Sequence, residues 1–135
     1  MSHPAFADAM RRVITGDGAD GRSLIIVDAP PSSEIGAPGL GGLYEIWHEA
    51  LSERLDVRDA TDRGPHTPML SPDTGHVKVR WFVIEPPPAS APPEAIKAAA
   101  RERFAQFGAA DHLRDQTRHP AMHQTDTLDV ICLIS

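Results

Sequence analysis

Pro120-Ala121-Met122-His123-Gln124-Thr125-Asp126-Thr127-Leu128-Asp129-Val130-Ile131-Cys132-Leu133-Ile134-Ser135, residues 120–135, is the stretch on which the fold turns. It begins with alternation and ends fully apolar, the pattern of a central strand buried on both faces. Along an extended chain His123, Thr125, Thr127 and Asp129 share one side. An imidazole, two hydroxyls and a carboxylate on one wall need partners if they are buried, which points to a solvated pocket or a bound ligand beside them. The same residues also fit a strand that enters the core with its first polar groups simply wet.

Working outward, Val77-Lys78-Val79-Arg80-Trp81-Phe82-Val83-Ile84-Glu85 predicts a second strand. Val77, Val79, Trp81 and Val83 fall on one face of it, and Lys78 and Arg80 on the other. Pro86-Pro87-Pro88 ends it, because proline cannot donate to a ladder. Pro92-Pro93-Glu94 opens the one convincing helix, near residues 93–107, with Ile96, Ala99, Ala100, Phe104 and Phe107 as a core stripe and Gly108 as its stop. Nearer the N-terminus, residues 1–10 read as a loose lead-in. Arg11 to Thr15 and Ser23 to Asp28 flank the Gly/Asp cluster at 16–21, the signature of a hairpin. Residues 29–42 read as a loop and 43–48 as a half-buried strand. The polar stretch 49–76 reads as a long surface excursion, a lid or an insertion.

Composition narrows the function. The chain has 135 residues, 41% apolar and 24% charged, enough for one domain, 1–135. Thirteen prolines and ten glycines favour short strands and turns over a helical bundle. Thirteen basic residues face nineteen acidic ones, a net charge of −6, which argues against nucleic acid and anionic membranes as partners. No stretch approaches the roughly 20 apolar residues that span a bilayer. The single cysteine, Cys132, excludes an internal disulfide, fits a cytoplasmic location and reads as an inert core thiol.

The 120–135 block resembles the first motif of the cupin superfamily, and more narrowly small single-domain cupins with a Pro-Gly-Met-His-x-Thr-x-Thr-Ile-Asp-Tyr signature. Arg11-Arg12-Val13-Ile14-Thr15-Gly16, Ser23-Leu24-Ile25-Ile26-Val27-Asp28 and Val79 to Pro88 agree with it upstream. The resemblance implies a mostly β fold, a jelly roll or double-stranded β-helix with an incomplete C-terminal half. It implies a small-molecule-binding protein, with lyase, isomerase or oxygenase chemistry on a small organic acid or ketone as its enzymatic form. The alternatives are a non-catalytic ligand-binding or oligomerisation module, and an inactive incomplete barrel.

His123 falls on the first histidine of the family's metal motif and Asp129 on its glutamate, while Thr125 replaces the second histidine and Val130 stands where the narrower signature has tyrosine. The implied site has His123 and Asp129 as catalytic groups, with Thr125, Thr127 and Trp81 contacting the ligand. Imidazole suits proton transfer because its ordinary pKa lies near neutrality.

Hydroxyl oxygen is a poor substitute for imidazole toward transition metals, and the family's fourth ligand lies beyond Ser135. No metal or other cofactor is therefore expected in this chain, although the full-length family admits a divalent metal. Were metal to bind, the omitted ligands would be His119 or a loop histidine such as His48 or His76. His3, His66 and His112 are scattered without ligand spacing, and Pro120 breaks the helix that the four-residue separation of His119 and His123 would need. The motif ends where the family's later strands begin, so the sequence is expected to be a fragment or to form a homodimer with strands paired or exchanged between chains.

Overall fold

The Gly/Asp cluster does turn the chain back on itself. In a computed structural model, which describes residues 10–37, 41–51, 56, 58–84 and 86–134, β1 (Arg12–Asp17) pairs antiparallel with β2 (Ser23–Ala29). The turn is closed by the Gly18 amide donating to the Arg22 carbonyl at 2.7 Å. A second antiparallel sheet has the order β3-β4-β5, from β3 (Ser33–Ala37), β4 (Gly41–Ala50) and β5 (His76–Val83). Among the described residues the strands are joined by one α-helix, α1 (Pro93–Gln106), and a 3-10 turn at Ala110–His112; the architecture is mostly β, and no barrel closes among them. None of their helices is long and apolar enough to cross a membrane. Residues 1–9, with His3, and Glu85 and Ser135 lie outside the described residues.

The chain divides into two compact units, Met1–Pro68 with Pro72–Ser90, and Met69–Ser71 with Ala91–Ser135. The first holds both sheets. Its β3 lies within residues 29–42, whose glycines and prolines read as loop. The strand forms because Ile35 finds Leu43 across the ladder, and Gly36 pairs with Gly42 without side chains to separate them.

Over His76–Trp81 β5 keeps the expected period of two, but the covered residues there are the polar ones, and the alternation ends at Phe82, which is 53% exposed. Val79 is 50% and Trp81 40% exposed, whereas Lys78 and Arg80 are half-buried. Glu45, fully buried on β4, binds Arg80, so charge on this face is matched as it is covered. The long excursion of 49–76 is also more than surface. Its first two residues complete β4, and the segment around Asp62 to His66 packs back onto that strand.

The packing centres on Arg12. β3 leaves β4 at the Ser33–Glu45 pair, so the rest of that edge lacks a strand neighbour. The Ser32 amide caps the Glu45 carbonyl at 3.0 Å, and Arg12 Nη1 caps the Ile46 carbonyl at 3.2 Å. Arg12 also donates from Nε to the Pro30 carbonyl at 2.9 Å, and grips Asp62 with two bonds of 2.7 and 2.5 Å. Gly64 closes this arrangement. A Cβ there would collide with Arg12 Nη1 and meet Ser32 Oγ at 2.8 Å and the Ile46 carbonyl at 2.9 Å.

In the second unit Phe104 and Phe107 of the helical stripe are buried edge to face, their ring centres 6.3 Å apart. Gly108 (φ 65°) ends the helix, with its amide donating to Ala105 and the Ala109 amide to Phe104, the paired bonds of a Schellman motif. Past it, Leu113 and His123 form an isolated antiparallel bridge.

The central strand expected over 122–135 is absent. Residues 124–134 form no strand, and Leu128 and Leu133 are 94% and 95% exposed. Among the described residues nothing pairs with this run beyond the bridge, so its apolar side chains have no sheet to pack in. Cys132 is accordingly exposed rather than a core thiol.

Gly64→Ala is expected to cost about 2–3 kcal/mol, the usual penalty of overpacking a close contact, in equilibrium urea denaturation. Wild-type stability in the alanine variant would show that Arg12 and the Ile46 carbonyl can yield.

Candidate functional site

The polar face of β4 and β5 gathers more ionisable groups than any strand reading predicts, and a β-bulge is the reason. Glu45 faces Arg80, the next opposed pair is Trp47 with Val79, and His48 then faces Lys78. Ile46 is the extra residue. It shifts the alternation by one, so Glu45 and His48, three apart in sequence, come to the same face. Ala50 faces His76 there too.

Glu45 Oε1 accepts from Arg80 Nη2 at 2.6 Å, while its Oε2 is buried without a hydrogen-bond partner, 3.7 Å from His66 Nε2. His66 Nδ1 lies 2.6 Å from the Gly64 carbonyl. A carbonyl only accepts, so Nδ1 donates to it, and Nε2 is the atom turned toward Glu45. Three imidazoles stack in a row. His66 lies 4.6 Å from His48 and His48 lies 4.8 Å from His76, centre to centre, with interplanar angles of 28° and 22°. Burial lowers the His48 pKa, and the positive charges that His66, Lys78 and His76 can carry lower it further against the pull of Asp73. Burial likewise lowers Lys78.

Asp73 approaches from the turn before β5, its Oδ2 3.7 Å from His48 Nε2. Along the strand, Glu49 is buried under Arg63, which donates to it at 2.6 Å and to Asp59 at 2.7 Å. Asp59 is held down at about 2 by hydrogen bonds from Thr61 and then Arg63. The hydrogen bond from Arg12 lowers Asp62.

The residues singled out in the sequence sit elsewhere. Thr125 and Thr127 are joined Oγ1 to Oγ1 at 2.7 Å, and Thr127 donates to Asp129 Oδ1 at 3.1 Å. These two hydrogen bonds link the three side chains in a row, although the chain bends at Asp126 and Thr127 and forms no strand there. His123 is exposed, its Nδ1 2.9 Å from the Ala121 carbonyl and its ring centre 5.0 Å from that of Phe104. Trp81 lies in the first unit, on the exposed apolar face of β5, whereas the 123–129 strip lies in the second.

His119 accepts from the Ala121 amide at 3.1 Å and is not part of the imidazole stack. His48 and His76 are part of it. The missed group is thus Glu45, His48, His66, Asp73 and His76. Only the bulge would have revealed it, and no residue type in Glu45-Ile46-Trp47 announces one.

Comparison with family models, curated proteins and solved structures finds no match to this chain in any of the three.

The Arg12–Asp62 pair gives a pH signature. Asp62 has a lowered pKa when folded, so its contribution is complete above the unfolded-state value near 3.9 and is lost as pH falls through the folded value. Asp62→Asn strands a guanidinium that is 5% exposed, and should cost about 3 kcal/mol at pH 7. In urea titrations the gap to wild type should hold from neutrality to about pH 5 and close below the unfolded-state value. A gap independent of pH down to acid unfolding would show that the carboxylate charge is not what holds Arg12.

Proposed function

We propose that this protein is a cytoplasmic, cupin-type small-molecule-binding protein, its two antiparallel sheets forming part of a jelly-roll wall. The observation that carries this reading is the Thr125–Thr127–Asp129 chain of hydrogen-bonded oxygens, which begins two residues after the exposed His123. Such a strip suits a small organic acid or ketone, with hydroxyls to orient its oxygens and an imidazole to exchange a proton. In the enzymatic form of the reading, His123 is the proton-transfer group, Asp129 its partner, and the chemistry that of a lyase, isomerase or oxygenase. The strongly basic surface that nucleic acid requires is missing from the composition, in which nineteen acidic residues outnumber thirteen basic ones.

A thermal-shift and calorimetric screen of small carboxylic acids and ketones tests the reading. A ligand at 100 times its Kd should stabilise the protein by about 2.7 kcal/mol. His123→Ala and Asp129→Asn should remove that gain while leaving the unliganded melt near wild type, since both side chains are exposed. Binding that survives both substitutions counts against the strip.

The exposed run favours a second reading, an oligomerisation module, which is compatible with the first. Leu128, Val130, Ile131, Leu133 and Ile134 are all exposed, and burying a large apolar side chain is worth about 1.5–3 kcal/mol. We expect a homodimer in which this run pairs with, or exchanges into, a second copy. Sedimentation velocity at micromolar concentration should give a dimer that Leu128→Asp with Leu133→Asp converts to monomer. A wild-type monomer at that concentration contradicts the reading.

A further inference from the structure

His48 Nε2 is enclosed by protein and has no hydrogen-bond partner. A buried polar atom in that state calls for an occupant. Asp73 Oδ2 is 3.7 Å away, and one donor atom from each of His48, Asp73 and His76 lies within 4.8 Å of the other two. His76 Nδ1 is 3.1 Å from the Thr74 carbonyl, to which it must donate, so its Nε2 keeps the lone pair that a cation needs. A backbone carbonyl that fixes the tautomer and ring direction in this way is the usual support of a metal-bound histidine. The turn is held as well, because the His76 amide donates to the Asp73 carbonyl at 3.0 Å.

His66 also stacks against the His48 ring, and the fully buried Glu45 carries an unpartnered Oε2 beside His66 Nε2. Glu45 Oε2, His48 Nε2 and His66 Nε2 are thus all buried without a hydrogen-bond partner along this face.

We propose that His48, Asp73 and His76 bind one first-row divalent transition cation, zinc before the others, with the remaining coordination positions open to water or a small ligand. Two imidazoles and a carboxylate suit zinc, cobalt, nickel or ferrous iron, whereas calcium and magnesium prefer all-oxygen sites. Metal–ligand bonds of about 2.0–2.2 Å place tetrahedral donors about 3.4 Å apart. The His48–Asp73 distance of 3.7 Å is close to that, and the exposed Asp73 side chain can rotate inward at little cost.

Lys78 across from His48 opposes a cation, and Arg80 is already paired with Glu45. Affinity should therefore fall below that of a four-ligand structural zinc site. This site uses neither His123 nor Asp129, so it stands whether or not the polar strip binds a ligand. It would bind metal through His48 and His76, outside the His123–Asp129 motif on which the expectation of a chain without metal rests.

Equilibrium dialysis of the full chain against zinc, read by elemental mass spectrometry, tests the site. Titration with cobalt, whose visible spectrum reports nitrogen and oxygen coordination, tests its ligands. Wild type should take up about one equivalent. Asp73→Asn and His76→Gln, each checked for a native circular dichroism spectrum and melt, should bind on the order of 100-fold more weakly or worse, beyond the 10–100-fold typical of supporting residues. His123→Ala should bind as wild type does. No saturable uptake by wild type overturns the proposal. So does unchanged affinity in both Asp73→Asn and His76→Gln, and so does loss of the metal in His123→Ala alone.

Discussion

Everything in the first unit leans on one guanidinium. Arg12 is the first residue of β1, yet its side chain is 5% exposed and reaches the Pro30 carbonyl, the Ile46 carbonyl and both oxygens of Asp62. Those partners belong to the segment after β2, the middle of β4 and the β4–β5 connection. Arginine alone can do this, because its planar fork carries five donors in fixed directions and never loses its charge. The cost is that every partner must stay in place. Gly64 leaves room for the guanidinium, and the Gly64 amide donates to Asp62 Oδ1 at 2.9 Å, fixing the carboxylate that Arg12 grips.

Arg12 also accounts for the place where the imidazoles gather. By binding the carbonyl of Ile46 it occupies the edge of β4 at the bulged residue. A bulge turns local twist into a change of facing, so Glu45 and His48 meet on one side. The connection pinned at Asp62 continues through Gly64 to His66, whose ring comes to rest against His48. The buried Arg12–Asp62 pair and the histidine stack, remote in sequence, are thus two ends of one polar construction.

How much of this was legible depends on whether a signal is local. The β1–β2 hairpin was, since Gly and Asp between β-rich runs leave few other conformations. The helix was too, from Pro93 at its start to Gly108 at its stop, and so was the strand at β5. Each of these is decided within about ten residues. The parity of β4 was not legible, because the bulge at Ile46 answers to a guanidinium thirty-four residues away. Neither was β3, whose Gly36 reads as loop and acts as close-packed strand. For the same reason His48 and His76 entered the sequence reading only as candidates for omitted ligands, while His66 and Glu45 were not considered together at all.

In the second sheet charged groups such as Glu45 and Glu49 are buried, while the apolar Val77, Val79 and Trp81 of β5 are exposed. That inverts the usual economy of a sheet, in which burial of aliphatic groups supplies stability and charges face water. Buried ion pairs such as Glu45 with Arg80 are weak sources of net stability, because desolvating both partners cancels much of their attraction. Their effect is to fix geometry, since removing either partner leaves an uncompensated charge. Meanwhile Val77, Val79, Trp81 and Phe82 in the first unit, and Leu128 to Ile134 in the second, keep much of their hydrophobic free energy unspent at the surface. The division follows from the chemistry of the two kinds of surface. The polar network is specific and can hold a site in shape within one chain, whereas the apolar surface is non-directional and gains only when something covers it.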